Sequence, residues 1–85
     1  MIITTTTEIA GKKVEKTLGL VYGFGGWGFG SSEYEALKGA LAAMTKQAEE
    51  MGANAIIGAG LLCSMVAGED AEKLITVYGT AVVVE

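Results

Sequence analysis

The chain has 85 residues, one cysteine, no histidine and a formal net charge of −4. This length fits a single domain, residues 1–85. The residue types exclude an intrachain disulfide, a Cys/His zinc site within one chain and histidine-based catalysis. The lone cysteine fits a reducing cytoplasm, and the acidic charge balance argues against a nucleic-acid partner.

The apolar content is high for so small a chain. Hydrophobic residues make up 51% of the sequence and charged residues 19%, although a small monomer needs a largely polar surface. The uncharged run 51–68 approaches the length of a transmembrane helix, but it contains four glycines, which make a weak spanning segment. The N-terminus lacks the basic segment of a signal peptide. We therefore expect a homo-oligomer rather than a membrane protein.

Two strands and a loop are predicted before the helix. Residues 2–7 are β-branched and predict a short strand, and residues 14–22 predict a second one. Gly19 interrupts this second strand, which indicates a bulge or a close backbone approach there. In residues 23–30, five glycines alternate with three aromatic residues. Because each glycine costs backbone entropy in regular structure, we predict a loop here.

A helix is predicted between Ser32 and Met51. Ser32 and Glu35 have the spacing of a capping box, and Gly52 is a suitable residue to end the helix. One stripe of the helix is expected to face the core, and it consists of Tyr34, Leu37, Leu41, Met44, Ala48 and Met51. The neighbouring residues Ala36, Ala40 and Ala43 would let another backbone come close.

Residues 53–66 and 74–84 predict the last two strands, joined by the acidic turn 68–72. In the first strand, Ile56, Leu62 and Val66 are expected on one face, and Ile57, Leu61 and Met65 on the other. In the second strand, Leu74, Val82 and Val84 are expected on one face, and Ile75, Val77 and Val83 on the other. Both faces of the strand pair are therefore apolar, whereas an antiparallel sheet usually has one wet face. One helix covers one face, so we expect something outside the chain to cover the other.

Four segments of the sequence resemble the YbjQ-like family: residues 4–6 (Thr-Thr-Thr), 18–21 (Leu-Gly-Leu-Val), 52–58 (Gly-Ala-Asn-Ala-Ile-Ile-Gly) and 78–83 (Tyr-Gly-Thr-Ala-Val-Val). These small prokaryotic proteins are often labelled heavy-metal-binding. The resemblance covers most of the chain and implies a dodecin-like subunit that assembles into rings, with pentamers as the expected state. The family usually has a longer insertion where this chain has its glycine-aromatic segment.

The predicted fold is α+β. It is a two-layer β-α-β-β subunit in which an antiparallel sheet packs on one helix, with a short N-terminal strand used in assembly. The resemblance places the C-terminal strand in the middle of the sheet.

The aromatic residues around the glycine-rich segment are the candidate ligand site. Tyr22, Phe24, Trp27 and Phe29 could stack against a small planar ligand such as a flavin, or they could fill the core or a subunit interface. The spacing Gly23-x-Gly25-x-x-Gly28 also spells a dinucleotide fingerprint. However, 85 residues leave no room for the fold that this fingerprint needs.

No catalytic residue and no metal ligand is predicted. Cys63 is the only thiol and lies on a strand expected to be buried, where cysteine is usually inert. Serine and threonine are plentiful, but no base is available to activate one. We expect a non-catalytic, ring-forming binding or structural protein, with heavy-metal binding as the alternative; the sequence names no cofactor.

Overall fold

One helix lies across one face of a four-stranded sheet in the computed structural model of this protein. The structure describes residues 1–27, 32–66 and 72–85. In chain order the elements are β1 (Ile2–Ile3), β2 (Val14–Trp27), α1 (Glu33–Glu50), β3 (Ala55–Val66) and β4 (Glu72–Val84). The predicted α+β fold with a β-α-β-β core is confirmed.

Strand β4 lies in the middle of the sheet, as the resemblance implied. The strand order is β1-β3-β4-β2, and β4 runs antiparallel to both β3 and β2. Strand β1 is shorter than the predicted 2–7 and pairs in parallel with β3 of its own chain, so the sheet is mixed rather than wholly antiparallel. Beyond β1, Thr4 N–H still donates to the Ile56 carbonyl at 3.0 Å. A role for this strand in assembly stays a prediction.

Both ends of α1 are fixed by the residues predicted to cap it. The Ser32 hydroxyl accepts a hydrogen bond from the Glu35 backbone N–H at 3.2 Å. At the other end, Gly52 has a φ of 88°. Its N–H donates to the Glu49 carbonyl at 3.0 Å, and the next N–H, of Ala53, donates to the Ala48 carbonyl at 3.0 Å. These two bonds form a Schellman motif, which leads the chain directly into β3.

The buried side of α1 consists mainly of alanines. Ala36, Ala40, Met44 and Ala48 are buried, whereas Leu37 and Leu41 are half-buried. Tyr34 and Met51, at the two ends of the predicted stripe, are exposed. Met44 and Ala48 lie on the buried side, as predicted. The prediction was wrong to centre that side on Leu37 and Leu41, because small residues allow the helix to approach the sheet more closely than leucines would.

The glycine-aromatic segment is a strand as far as Trp27, so the predicted loop was wrong for residues 23–27; residues 28–30 lie outside what the structure describes. A Cβ atom on Gly23 would overlap the Ala40 carbonyl oxygen, and one on Gly25 would overlap the Ala36 carbonyl oxygen. Both glycines face the helix and let its backbone rest on the backbone of β2. Close packing here outweighs the entropic cost of placing glycine in a strand.

The side chain of Asn54 joins the start of β3 to the end of β4. Its Nδ2 donates to the Val84 carbonyl at 2.9 Å, and its Oδ1 accepts from the Val84 N–H at 2.8 Å. The Asn54 backbone N–H donates to the Val82 carbonyl at 3.2 Å. One side-chain amide thus continues the backbone ladder beyond Ala55, the first paired residue of β3, which gives the Asn of the Gly-Ala-Asn-Ala segment a structural role.

We predict that Gly25→Ala lowers the free energy of unfolding by about 1–3 kcal/mol, the usual cost of forcing extra atoms into a packed core. The obstructing atoms belong to the helix backbone, which cannot rotate aside as a side chain could. The matched control is Gly39→Ala in α1, where a Cβ meets open space and helix propensity should add about 0.5–1 kcal/mol. Urea unfolding followed by circular dichroism measures both changes. A Gly25→Ala protein as stable as the wild type would contradict the close contact.

We predict that Asn54→Ala and Asn54→Asp each lower the free energy of unfolding by about 1–3 kcal/mol at neutral pH, because polar backbone groups of Val84 lose partners. A protonated aspartic acid recovers a donor for the Val84 carbonyl. Relative to Asn54→Ala, the Asp variant should therefore gain stability as the pH falls through the carboxyl pKa. Thermal unfolding at a series of pH values tests this, and a constant difference between the two variants would contradict the pairing.

Candidate functional site

One large part of the sheet surface opposite the helix is uncovered and apolar. We call it the open face, and it is formed by the exposed side chains of Leu20, Tyr22, Phe24, Leu62 and Tyr78. The strand register brings them together, since Tyr22 pairs with Tyr78 while Phe24 and Leu62 both pair with Thr76. The exposed fractions run from 39% for Tyr78 to 68% for Leu20. Isolated exposed apolar residues are normal on a protein surface, but five adjacent ones form a patch of the kind found at interaction sites.

Three aromatic rings form the centre of the open face. The Tyr22 and Phe24 rings meet edge to face, with centroids 5.5 Å apart and planes at 63°, an arrangement that aromatic pairs favour. The Tyr78 ring extends over Gly60, where an added Cβ would lie 2.5 Å from the tyrosine oxygen. Gly60 therefore leaves the space that the Tyr78 ring occupies against the sheet.

A bulge in β3 decides which of its side chains join the open face. The β3–β4 register shifts between Ile57 and Gly60, and Gly58 has a φ of 61°. Beyond the shift, Leu61 pairs with the buried residue Val77 on the helix side. Leu62 consequently lies on the open side, with Ile57. The predicted grouping of Leu62 with Ile56 was wrong, because strict alternation does not include the extra residue of a bulge.

The chain itself covers one end of this sheet surface. Ala55, Val82 and Val84 are buried together, and Ile9 and Val14 pack against them. The expectation that the whole second face must be covered from outside the chain was therefore too broad. The open face is the part that remains.

The predicted ligand residues fall into two groups. Tyr22 and Phe24 lie on the open face, next to each other. Trp27 is the last residue of β2 and pairs with Lys73, but its side chain lies outside what the structure describes, as does Phe29 altogether. Leu20, Leu62 and Tyr78 were missed. For Tyr78 a signal existed, because it alternates with Leu74, Val82 and Val84 along β4.

Cys63 is exposed, which corrects the prediction that it is buried. It pairs with Ile75 on the helix side of the sheet, but α1 packs mainly on β2 and β4. Beside this uncovered half of β3 lies a shallow apolar groove of about 200 Å³, whose lining includes Ile3, Leu37, Leu41 and Leu61. Across the described ranges, no three His, Cys, Asp or Glu side chains converge as metal ligands would.

No helix within residues 1–27, 32–66 and 72–85 has the length and apolar character needed to cross a membrane.

Several proteins resemble this chain over its full length. A "UPF0145 protein" of Acetivibrio thermocellus is 35% identical, and one of Hahella chejuensis is 40% identical; both alignments run over 106 residues and cover all of each chain. A solved structure from Pediococcus pentosaceus, described as a protein of unknown function of the DUF74 family, has a TM-score of 0.80 at 19% identity. The match covers 100% of this chain and 98% of that one, which shows a shared fold.

The family model for YbjQ, described as "Putative heavy-metal-binding", matches residues 25–85. That range takes in the last part of β2, the helix and both long strands that follow. Neither this description nor the names of these relatives state a reaction. The chain therefore belongs to the YbjQ-like family, whose function is unknown and whose description refers to heavy metals.

Proposed function

We propose that this protein is the non-catalytic subunit of a closed homo-oligomeric ring, in which the open face is buried between copies. The observation that carries the proposal is the exposure of five adjacent large apolar side chains on one sheet face. Within the described residues, the part of that face around Tyr22 and Tyr78 carries no charged side chain. An uncharged apolar patch of this kind favours association with a matching surface.

The shape of the subunit also supports assembly. Its Cα radius of gyration is 14.4 Å and its extents are 48 × 22 × 17 Å, whereas a compact domain of this length has a radius of about 12 Å. An elongated subunit exposes more surface, relative to the size of its core, than a compact one of the same length. Contact with other copies would restore the ratio of buried to exposed surface that a larger domain has.

A ring follows if each copy contacts the next through two different patches, because head-to-tail contacts either close or continue as a filament. The family resemblance favours five copies. We place this assembly in the cytoplasm, where the exposed thiol of Cys63 stays reduced.

The aromatic rings of the open face suggest what such an assembly could hold. Tyr22, Phe24 and Tyr78 offer ring surfaces with two hydroxyl groups at their margins, a combination that suits a small planar ligand. In this proposal the ligand stacks on the open face where copies meet. A native mass spectrum of protein purified from its own host reports the number of copies and any retained ligand together.

Binding of a soft metal is the second candidate function, and the exposure of Cys63 favours it. A thiol at the surface can reach a metal, whereas a buried one could not. Soft metals need two or more sulfur or imidazole ligands for tight binding. One subunit supplies a single thiol and no imidazole, so a site with two thiolates would have to be shared between copies.

We predict that Tyr22→Lys converts the oligomer to the 8.7 kDa monomer, because a lysine ammonium group at the centre of a buried apolar contact has no partner. The matched control is Tyr34→Lys, which places the same charge on an aromatic position of α1 that is 72% exposed and should leave the oligomer intact. Light scattering after gel filtration measures both. A wild-type protein that is monomeric at micromolar concentration would overturn the proposal.

We predict that copper(I), cadmium and zinc bind weakly and through Cys63 alone. Calorimetric titration of the wild type and of Cys63→Ser tests this, and the heat of binding should disappear in the variant. Tight binding that survives Cys63→Ser would show that other side chains form the site. Tight binding that requires both Cys63 and the intact oligomer would instead favour a shared thiol site.

A further inference from the structure

No residue within 1–27, 32–66 and 72–85 covers the edges of the sheet at the end farthest from β1, where the open face is exposed as well. We call this end the sheet extension, and it consists of 24–27 of β2, 61–66 of β3 and 72–77 of β4. Both outer strands pair with the same part of β4, since Phe24 and Leu62 share Thr76 as partner. The backbone bonds from the N-terminal segment reach β3 only as far as Ala59, whose N–H donates to the Thr4 carbonyl at 2.9 Å.

The outward backbone groups of β2 can be identified from one hydrogen bond. Tyr22 N–H donates to Oε1 of Gln47 on α1 at 2.8 Å, so this N–H points away from β4. Backbone groups of alternate residues point to the same side of a strand. The N–H and C=O groups of Phe24 and Gly26 therefore point outward too, and the chain's described residues offer them no partner.

The same reasoning identifies the outward groups of β3. The backbone groups of Tyr22 point away from β4, so those of its partner Tyr78 point away from β2 and toward Gly60 on β3. The backbone of Leu61 and Cys63 must then point outward, in phase with Ala59, which does bond outward to Thr4. Past Ala59, the outer edge of β3 has no backbone partner among the described residues.

Neither edge carries the residue types that usually keep edge strands apart. Natural edges carry lysine, proline or inward charges, or they are very short. Residues 24–27 (Phe-Gly-Gly-Trp) and 61–66 (Leu-Leu-Cys-Ser-Met-Val) contain no charge and no proline. The two edges lie on opposite sides of one sheet and at the same level along it.

We infer that these two edges pair with each other between copies of this chain: the edge of β2 in one copy adds in parallel to the edge of β3 in the next. The direction is parallel because β2 and β3 both run antiparallel to β4. The inference rests on the proposed homo-oligomer and names the contact that forms it. A second copy is the occupant that satisfies both edges at once, whereas β2 pairing with another β2 would leave every β3 edge open.

Gln47 sets one end of this intermolecular ladder. Its side-chain oxygen already holds the Tyr22 N–H, so pairing begins beyond Tyr22 and is confined to the sheet extension. The contact is short, and burial of the open face contributes the rest of the association energy.

Engineered disulfides test the pairing. In a Cys63→Ser background, Leu62→Cys is combined with Phe24→Cys or with Gly26→Cys, all on the open side of the sheet. Neighbouring strands lie about 5 Å apart, within reach of a disulfide, whereas positions 24 and 62 of one chain are separated by β4 and by about 10 Å. Mild oxidation should therefore link most chains to one another in at least one of the two combinations. The control combines Leu62→Cys with Leu20→Cys, four residues farther along β2, and should stay unlinked.

The outcomes separate this inference from the proposed function. An oligomer in which neither combination cross-links would overturn the edge pairing and leave the ring intact, while a monomeric wild type would overturn both. Cross-linking of Phe24→Cys alone, in the Cys63→Ser background, would show β2 paired with β2. That result would also overturn the pairing of β2 with β3.

A proline variant provides a second test that does not depend on disulfide geometry. Phe24→Pro removes an outward N–H without costing the chain any hydrogen bond of its own sheet, so the subunit should keep its circular dichroism spectrum. Phe24→Ala removes the same ring and keeps the N–H. The proline variant should shift toward monomer further than the alanine variant, and equal shifts would count against a backbone ladder.

Discussion

The backbone of α1 rests directly on the backbone of β2 at two glycines, and most of the subunit's architecture follows from that contact. Gly23 lies against Ala40 and Gly25 against Ala36, so neither partner has a side chain larger than a methyl group at the contact. Helix and sheet therefore approach more closely than leucine-lined surfaces would allow. The alternation of glycine with aromatic residues serves both layers, since glycine faces the helix while Tyr22 and Phe24 face away.

This contact also explains why so much apolar surface stays uncovered. A helix anchored over β2 lies to one side of the sheet and reaches β4, while the outer half of β3 is left beside it. Leu61 on the helix side and Leu62 on the open side are both more than half exposed. One subunit cannot bury both, because its single helix is already held at the glycines. The apolar surface that the proposed assembly would bury therefore follows from the position of the helix as much as from the composition.

The sequence specified local features well and long-range ones poorly. The ends of α1 could be predicted because Ser32 and Gly52 act within a few residues of themselves. The course of β2 could not, because the reason for Gly23 and Gly25 lies on a helix that comes later in the chain. The exposure of Cys63 depends on the sideways position of α1, which no local pattern encodes. Tyr78 could have been identified from strand alternation, but Leu62 could not be placed without knowledge of the bulge.

The bulge at residues 58–59 acts as a phase shift in the two-residue repeat of β3. Before it, Ile57 faces away from the helix; after it, even-numbered residues take that orientation. Deleting one residue here would remove the bulge but leave every later residue on its present side, because those residues would keep their partners on β4. Straightening the strand at its full length would instead exchange the two sides of everything that follows. Leu61 and Leu62 would trade equivalent side chains, but the thiol of Cys63 would turn to the side of the aromatic rings. The left-handed backbone at Gly58 thus keeps the protein's only sulfhydryl group away from its aromatic cluster.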